Sequence, residues 1–181
     1  MSRLVLVLLA GFTMFGSAAR VSAQEVFCTV VGAVQGTFQE NGGAKSQIPV
    51  LFLTQEITVP QDAATGLPTG RRIHKPLTIV KELDSASIHF FQAAVTNETL
   101  RSVTCTFYRS FRSGTGGGAT RAYFKIVLTN AAIVDYKDAG DGVNGDAVGD
   151  ERERISMVYQ RIEMTDLDTN ATTVDDWASA T

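Results

Sequence analysis

Two histidines and two cysteines, with three loop-like tracts, are the residues here whose types suit chemistry. His74 stands before Lys75-Pro76, and His89 follows Asp84 by five positions. An Asp–His pair can relay a proton, but no G-x-S-x-G elbow offers a nucleophile beside it. Asp84 is also an N-cap type, and His89 then falls on a helix face. No Cys or His pair has the spacing of a metal site. Gly114-Thr115-Gly116-Gly117-Gly118 can suggest a phosphate cradle. A P-loop, however, needs Lys-Ser/Thr and a following helix, and a strand pattern follows instead. The acidic tract Lys137–Glu153 (KDAGDGVNGDAVGDERE) does not fit the calcium-loop pattern. It reads as a solvated hairpin loop, with adventitious calcium as the lesser alternative. Asn97-Glu98-Thr99 and Asn170-Ala171-Thr172 are sequons in form, and Asn97 already suits a helix stop. The residues therefore predict no catalytic, cofactor-binding or metal-binding set, and no enzyme.

Cys28 and Cys105 leave two readings open. An even count in an exported chain allows one disulfide, and two buried free thiols are equally in keeping with how cysteine packs. Export itself is suggested by residues 1–23. Arg3 precedes an apolar run from Leu4 to Phe15, and Val21-Ser22-Ala23 closes it as a cleavage site would. The run is too short to span a bilayer, which takes about 20 residues. An uncleaved anchor and a later start near Met14 are the alternatives. The 181-residue chain carries a net charge of −3, and removing Arg3 and Arg20 with the leader makes it more acidic. That balance gives no footprint for nucleic acid. Arg71-Arg72 and Lys75 form one small basic cluster that reads as a solvated strand edge.

The elements that would position these residues are mostly strands. Val26–Val31 is a first strand, with a turn at Gly36-Thr37. Gln39–Gln47 is a polar connection. Ile48–Leu53 is a second strand, and Glu56–Val59 can continue it. Pro60–Gly70 is a loop by its Pro, Gly and Asp content. Ile73–Val80 reads as one strand. Asp84 and Ser85 start a helix in which Ile88, Phe91, Gln92 and Val95 share a face, and Asn97 and Thr99 end it. The pair Phe90-Phe91 reads as core, with one side of the helix left to meet a neighbour. Val103, Cys105 and Phe107 alternate inward, as do Phe124, Ile126 and Leu128. Ala131–Tyr136 continues or restarts that strand, and Ile155–Met164 is the last. Residues 166–181 read as a polar, mobile tail. The class is mainly β: a closed or nearly closed barrel of two sheets, about seven or eight strands, with one short α-helix.

His74-Lys75-Pro76-Leu77-Thr78-Ile79-Val80-Lys81-Glu82-Leu83-Asp84, Thr96-Asn97-Glu98-Thr99-Leu100 and Phe107-Tyr108-Arg109 resemble the haemolysin-coregulated protein (Hcp) family. Gly32-Ala33-Val34-Gln35-Gly36 is similar to that family's opening strand and turn. Tyr123–Leu128 and Tyr159–Glu163 are similar to its later strands. The likeness runs from Val26 to Thr165, so residues 24–165 are expected to be one Hcp-like domain. It implies a compact β-barrel of two sheets with one helix. It also implies a structural role: a homohexameric ring that stacks into the tube of a type VI secretion system and carries effectors in its lumen. The implied partners are the chain itself and sheath, spike or effector proteins, with no nucleic acid and no membrane once the leader is gone. The family's extended loop reaches a neighbouring subunit, which places the interface at Ile57, Val59, Arg71 and Arg72. The leader departs from the family pattern, because the tube assembles in the cytoplasm. A second reading is therefore an exported periplasmic or extracellular binding protein on the same barrel.

Overall fold

The computed structural model describes residues 25–39, 46–112, 118–139 and 151–177. The leader, the Gly-rich tract at 113–117 and most of the acidic tract lie outside these residues. Among them, eleven strands and one helix follow in chain order. They are β1 (Glu25–Gly32), β2 (Gly36–Thr37), β3 (Ile48–Val50), β4 (Phe52–Thr54), β5 (Ile57–Thr58), β6 (Ile73–His74), β7 (Leu77–Glu82), α1 (Ser85–Thr96), β8 (Leu100–Arg112), β9 (Gly118–Ala139), β10 (Arg152–Asp166) and β11 (Thr172–Asp176). Nine strands make one antiparallel sheet in the order β2-β1-β8-β9-β10-β7-β4, with β3 added to β1 and β11 added to β10. The other two, β5 and β6, form a separate sheet of their own.

The strand count exceeds the expected seven or eight for local reasons. The run Ile73–Val80 breaks at Lys75-Pro76, since proline has no N–H for a ladder. Its first piece pairs with β5 and its second with β10 and β4. The segment expected as a tail contributes β11, with Thr165↔Thr172 through Arg161↔Asp176 in register. The expected acidic loop is shorter than its composition suggests: Lys137–Ala139 still pair with Arg152–Arg154. Asn130, with φ 50°, does not end β9, which runs on unbroken to Ala139.

Alternation builds the core. Val103↔Leu128 and Cys105↔Ile126 are cross-strand partners, so β8 and β9 turn one apolar face inward. From β10, Ile155, Met157, Tyr159 and Ile162 join Leu77 and Ile79 of β7 in the interior. Helix α1 closes over this layer with Phe90, Ala86 and Ala93. Phe90 meets Phe38 edge to face, ring centroids 5.3 Å apart. Phe91 does not share that burial: Ile88, Phe91 and Val95 are all more than half exposed. The helix start matches the sequence. Asp84 accepts from the Ala86 N–H at 2.8 Å, and the Asp84 N–H donates back to Ser87 Oγ at 3.0 Å, a reciprocal cap. Asn97 ends it in the left-handed region.

Beneath the helix lies a buried polar cluster. Lys81 and Glu153 are strand partners, both shut off from solvent. Lys81 Nζ donates to Glu153 Oε1 at 2.8 Å and to the Glu82 carbonyl at 2.6 Å. It also pairs with Asp84 Oδ1 at 2.8 Å. Ser87 Oγ donates to Glu153 Oε1 at 2.9 Å, and Tyr136 OH to Glu153 Oε2 at 2.6 Å. Burial and then the Glu153 bond push the Tyr136 phenol well above its ordinary value. The cluster ties the helix N-terminus to β7, β9 and β10, so Asp84 serves the cap and this pairing rather than a dyad with His89.

Candidate functional site

Residues 56–75 form a hairpin arm outside the main sheet. Lys75 N–H donates to the Glu56 carbonyl at 3.0 Å, Ile57 faces His74, and Thr58 faces Ile73. Further out, Thr69 N–H donates to the Pro60 carbonyl at 3.0 Å and Gln61 bridges Pro68. At the tip, Asp62 Oδ1 accepts from the Ala64 and Thr65 N–H groups, an Asx turn. Gly66 at φ +69° completes it in a conformation that favours glycine. The arm exposes apolar groups: Ile57 is 44% accessible, Val59 48%, Leu67 64% and Ile73 54%. Leu51, before β4, and Phe52, its first residue, are exposed as well. The register places Ile57 with His74 on one face of the hairpin and Ile73 with Thr58 on the other, so the arm exposes apolar groups on both faces.

The root of the arm is held by polar and aromatic side chains. Arg72 makes a two-pronged contact with the Asp175 carboxylate. His74 Nε2 bonds the same carboxylate at 2.8 Å, and its Nδ1 bonds Tyr159 OH at 3.1 Å. Trp177 packs on the His74 ring, centroids 4.0 Å apart, and its indole N–H donates to the Tyr159 carbonyl at 2.5 Å. The Arg72 bond first, then the His74 bond, outweighs burial and holds the Asp175 carboxyl below its ordinary value. Lys75 Nζ pairs with Glu56 Oε1 at 2.8 Å across the root. The basic cluster expected as a solvated edge is thus largely paired.

A second polar feature sits at the helix C-terminus. Glu98 lies beneath the turn after β1, where its Oε1 accepts from the Val34 N–H at 2.7 Å and the Gln35 N–H at 2.9 Å. Its Oε2 accepts from Gln35 Nε2 at 2.8 Å. Burial would raise this carboxyl, and the Gln35 and Val34 hydrogen bonds reverse that to leave it below its ordinary value. Gly32 is required here: a Cβ at that position would overlap Glu98 Oε1 and crowd Phe38. His89 stacks on Phe38 and bonds Gln35 Oε1 at 2.9 Å, so it belongs to this turn. A cleft of about 390 Å³ opens between Val34, Gln92, Thr96 and Asn97. The carboxylate at its base is already committed to backbone N–H groups, so the cleft is structural in its chemistry.

The expected site residues divide as follows. Ile57 and Val59 are both on the exposed arm, Arg71 is exposed, and Arg72 is drawn to Asp175. Cys28 and Cys105 are cross-strand partners of β1 and β8, joined as a disulfide in the core. Asp175, Tyr159 and Trp177 carried no sequence signal of a shared cluster with His74, because they lie about a hundred residues away in sequence or sit in an apparent tail.

The model of the family described as type VI secretion system effector, Hcp, matches residues 27–165. The chain belongs to this Hcp family. The chain is 34% identical over 149 residues to the major exported protein of Pseudomonas aeruginosa, covering 81% of this chain and 83% of that protein. It is similar in structure to Hcp1 from the E. coli EAEC 042 pathovar, at 25% identity and TM-score 0.70, covering 86% of this chain and 99% of that one. Secreted protein Hcp3 from Pseudomonas aeruginosa is also similar, at 25% identity and TM-score 0.67, with 86% and 99% covered.

Proposed function

We propose that this chain is a structural, ring-forming tube subunit of a type VI secretion system, secreted, non-enzymatic, and able to carry effectors in the lumen of a homohexameric ring. Membership of the family across residues 27–165 supports it. So does the similarity to proteins described as exported or secreted. A closed barrel is part of this reading. Residues 48–54 pair with β1 through β3 and with β7 through β4, so one segment reaches both sides of the strand order β1-β8-β9-β10-β7.

The observation that carries the assembly role is the arm. It leaves the main sheet and holds Ile57, Val59, Leu67 and Ile73 toward solvent. Such a surface suits a heterologous contact repeated around a closing rotation. Light scattering of the purified mature protein tests this, with wild type beside Ile57→Asp/Val59→Asp. The wild type should form a particle several subunits in mass, and the double variant should fall to monomer, because it would bury unpaired charge. A wild type monomeric at high concentration defeats the ring.

The disulfide favours a second reading, an exported binding protein without a tube role. Disulfides persist in oxidising compartments and are rare in the cytoplasm, where a type VI tube would assemble. The same mass measurement separates the two.

A further inference from the structure

We propose that the C-terminal strand β11 is the anchor that sets the pose of the arm, with Asp175 as its positioning residue. The arm's two strands belong to no ladder of the main sheet. A lone two-stranded hairpin is marginal in water, so its direction must come from side chains at its root. Those side chains converge on one place. On the returning limb, Arg72 and His74 both bond the Asp175 carboxylate. From β10, the Tyr159 hydroxyl also meets His74 at 3.1 Å. Glu56 and Lys75 join the two limbs to each other. Tyr159 belongs to β10, and Asp175 to the strand that β10 carries at its edge. Trp177 closes the cluster over His74, and its backbone N–H donates to the Gln160 carbonyl at 3.1 Å.

The consequence is a physical link between the chain's end and its exposed apolar arm. With β11 docked, one carboxylate holds two cationic or hydrogen-donating groups of the arm in fixed positions. With β11 displaced, Arg72 and His74 lose that acceptor, and the arm keeps only its own hairpin bonds. The arm's part in assembly rests on the function proposed above; the anchoring does not.

Hydrogen–deuterium exchange of the full chain, read by mass spectrometry, tests the anchor. Wild type is compared with Asp175→Asn and with Arg72→Gln. Asp175→Asn should raise exchange in peptides covering 57–74 about ten-fold, the scale of losing hydrogen bonds to one charged group. Peptides from β8 and β9 should keep wild-type protection. Arg72→Gln should give a smaller rise in the same peptides. Should Asp175→Asn also loosen β8 and β9, Arg72→Gln decides alone, since its side chain is 47% exposed and its loss removes little packing. Arm exchange at the wild-type level in both variants overturns the proposal. The chain's single tryptophan is a second reporter: Asp175→Asn should shift Trp177 emission to the red as the indole leaves His74. Particle mass measured on the same samples speaks only to assembly. A monomeric wild type removes the tube role, and the exchange comparison still decides the anchor.

Discussion

Two polar clusters hold elements to the same sheet, and they differ chiefly in burial. Under α1, Lys81 and Glu153 are wholly buried. At the arm root, Arg72 is 47% exposed and Asp175 23%. The chemistry is alike: a cation on a carboxylate, with a hydroxyl or ring nitrogen beside it. The consequences are not. A buried pair that loses one member leaves an uncompensated charge in the interior, whereas an exposed pair loses an interaction that water largely replaces. The first cluster therefore secures the fold, and the second fixes the pose of an appendage. Lys81→Met puts that contrast to its hardest test. It should destabilise by about 3–5 kcal/mol, read as a lowered midpoint in urea, while Arg72→Gln should leave the midpoint close to wild type, since its half-exposed guanidinium is screened by water. Equal midpoints for the two variants would break the distinction.

The disulfide sharpens it from another side. Cys28 and Cys105 enclose a sequence separation of 77 and sit in the core rather than at either cluster. Cys28→Ser/Cys105→Ser should lower stability by about 2–4 kcal/mol, chiefly by freeing the unfolded chain. Reduction of the folded wild type should be slow, because both residues are buried. Thiol labelling of unfolded, unreduced protein checks the bond itself: two free thiols per chain from oxidising conditions would exclude it.

Glu98 stands between the two extremes, a buried carboxylate paired with N–H groups rather than with a cation. Its folded-state pKa is below the ordinary 4.5. Its contribution is therefore complete above that value and is lost as pH falls through the lower, folded pKa. Glu98→Gln should cost about 1–3 kcal/mol at neutral pH, because one oxygen acceptor must serve the donors that two served. The loss should shrink as pH falls below 4.5 and through the lower, folded pKa. A pH-independent difference in urea midpoints would show that the carboxylate charge does not matter there.

Why some of this was legible in sequence follows from the range of each signal. The helix limits are local: Asp84, Ser87 and Asn97 act within one turn of where they stand, and their side-chain chemistry suffices. The inward faces of β8 and β9 are local too, by alternation. Strand breaks were less visible, because Ile73–Val80 is uniformly strand-like until Pro76 meets a partner. The clusters were not visible at all. Glu153 looks like the end of an acidic loop, and only the β7–β10 register places it against Lys81. Asp175 looks like part of a polar tail, and only its pairing beside β10 brings it to His74. The arm reads in sequence as a long loop with apolar residues, and its hairpin pairing has no local signal.

The smallest expected effect is at Ile88, on the exposed face of α1, and two neighbouring phenylalanines that both read as core in the sequence set its scale. Phe90 is fully buried against Phe38, while Phe91 is 53% exposed with Ile88 and Val95 on the same face. Phe91 touches Tyr136 at its edge, ring centroids 5.8 Å apart, so it is not without packing. Phe90→Ala should cost about 3–5 kcal/mol, as core truncations do. Ile88→Ser should change stability by no more than about 0.5 kcal/mol, since its side chain is mostly in water. Phe91→Ser should fall between them and near the lower value, losing one aromatic edge contact worth about 0.5–1.5 kcal/mol. If the exposed face serves only solvent, all three variants keep the wild-type particle mass whenever they remain folded. If a second copy covers it, Ile88→Ser lowers the particle mass while the urea midpoint stays unchanged. That combination, measured on one preparation by light scattering and urea titration, would add the helix to the arm as an assembly surface.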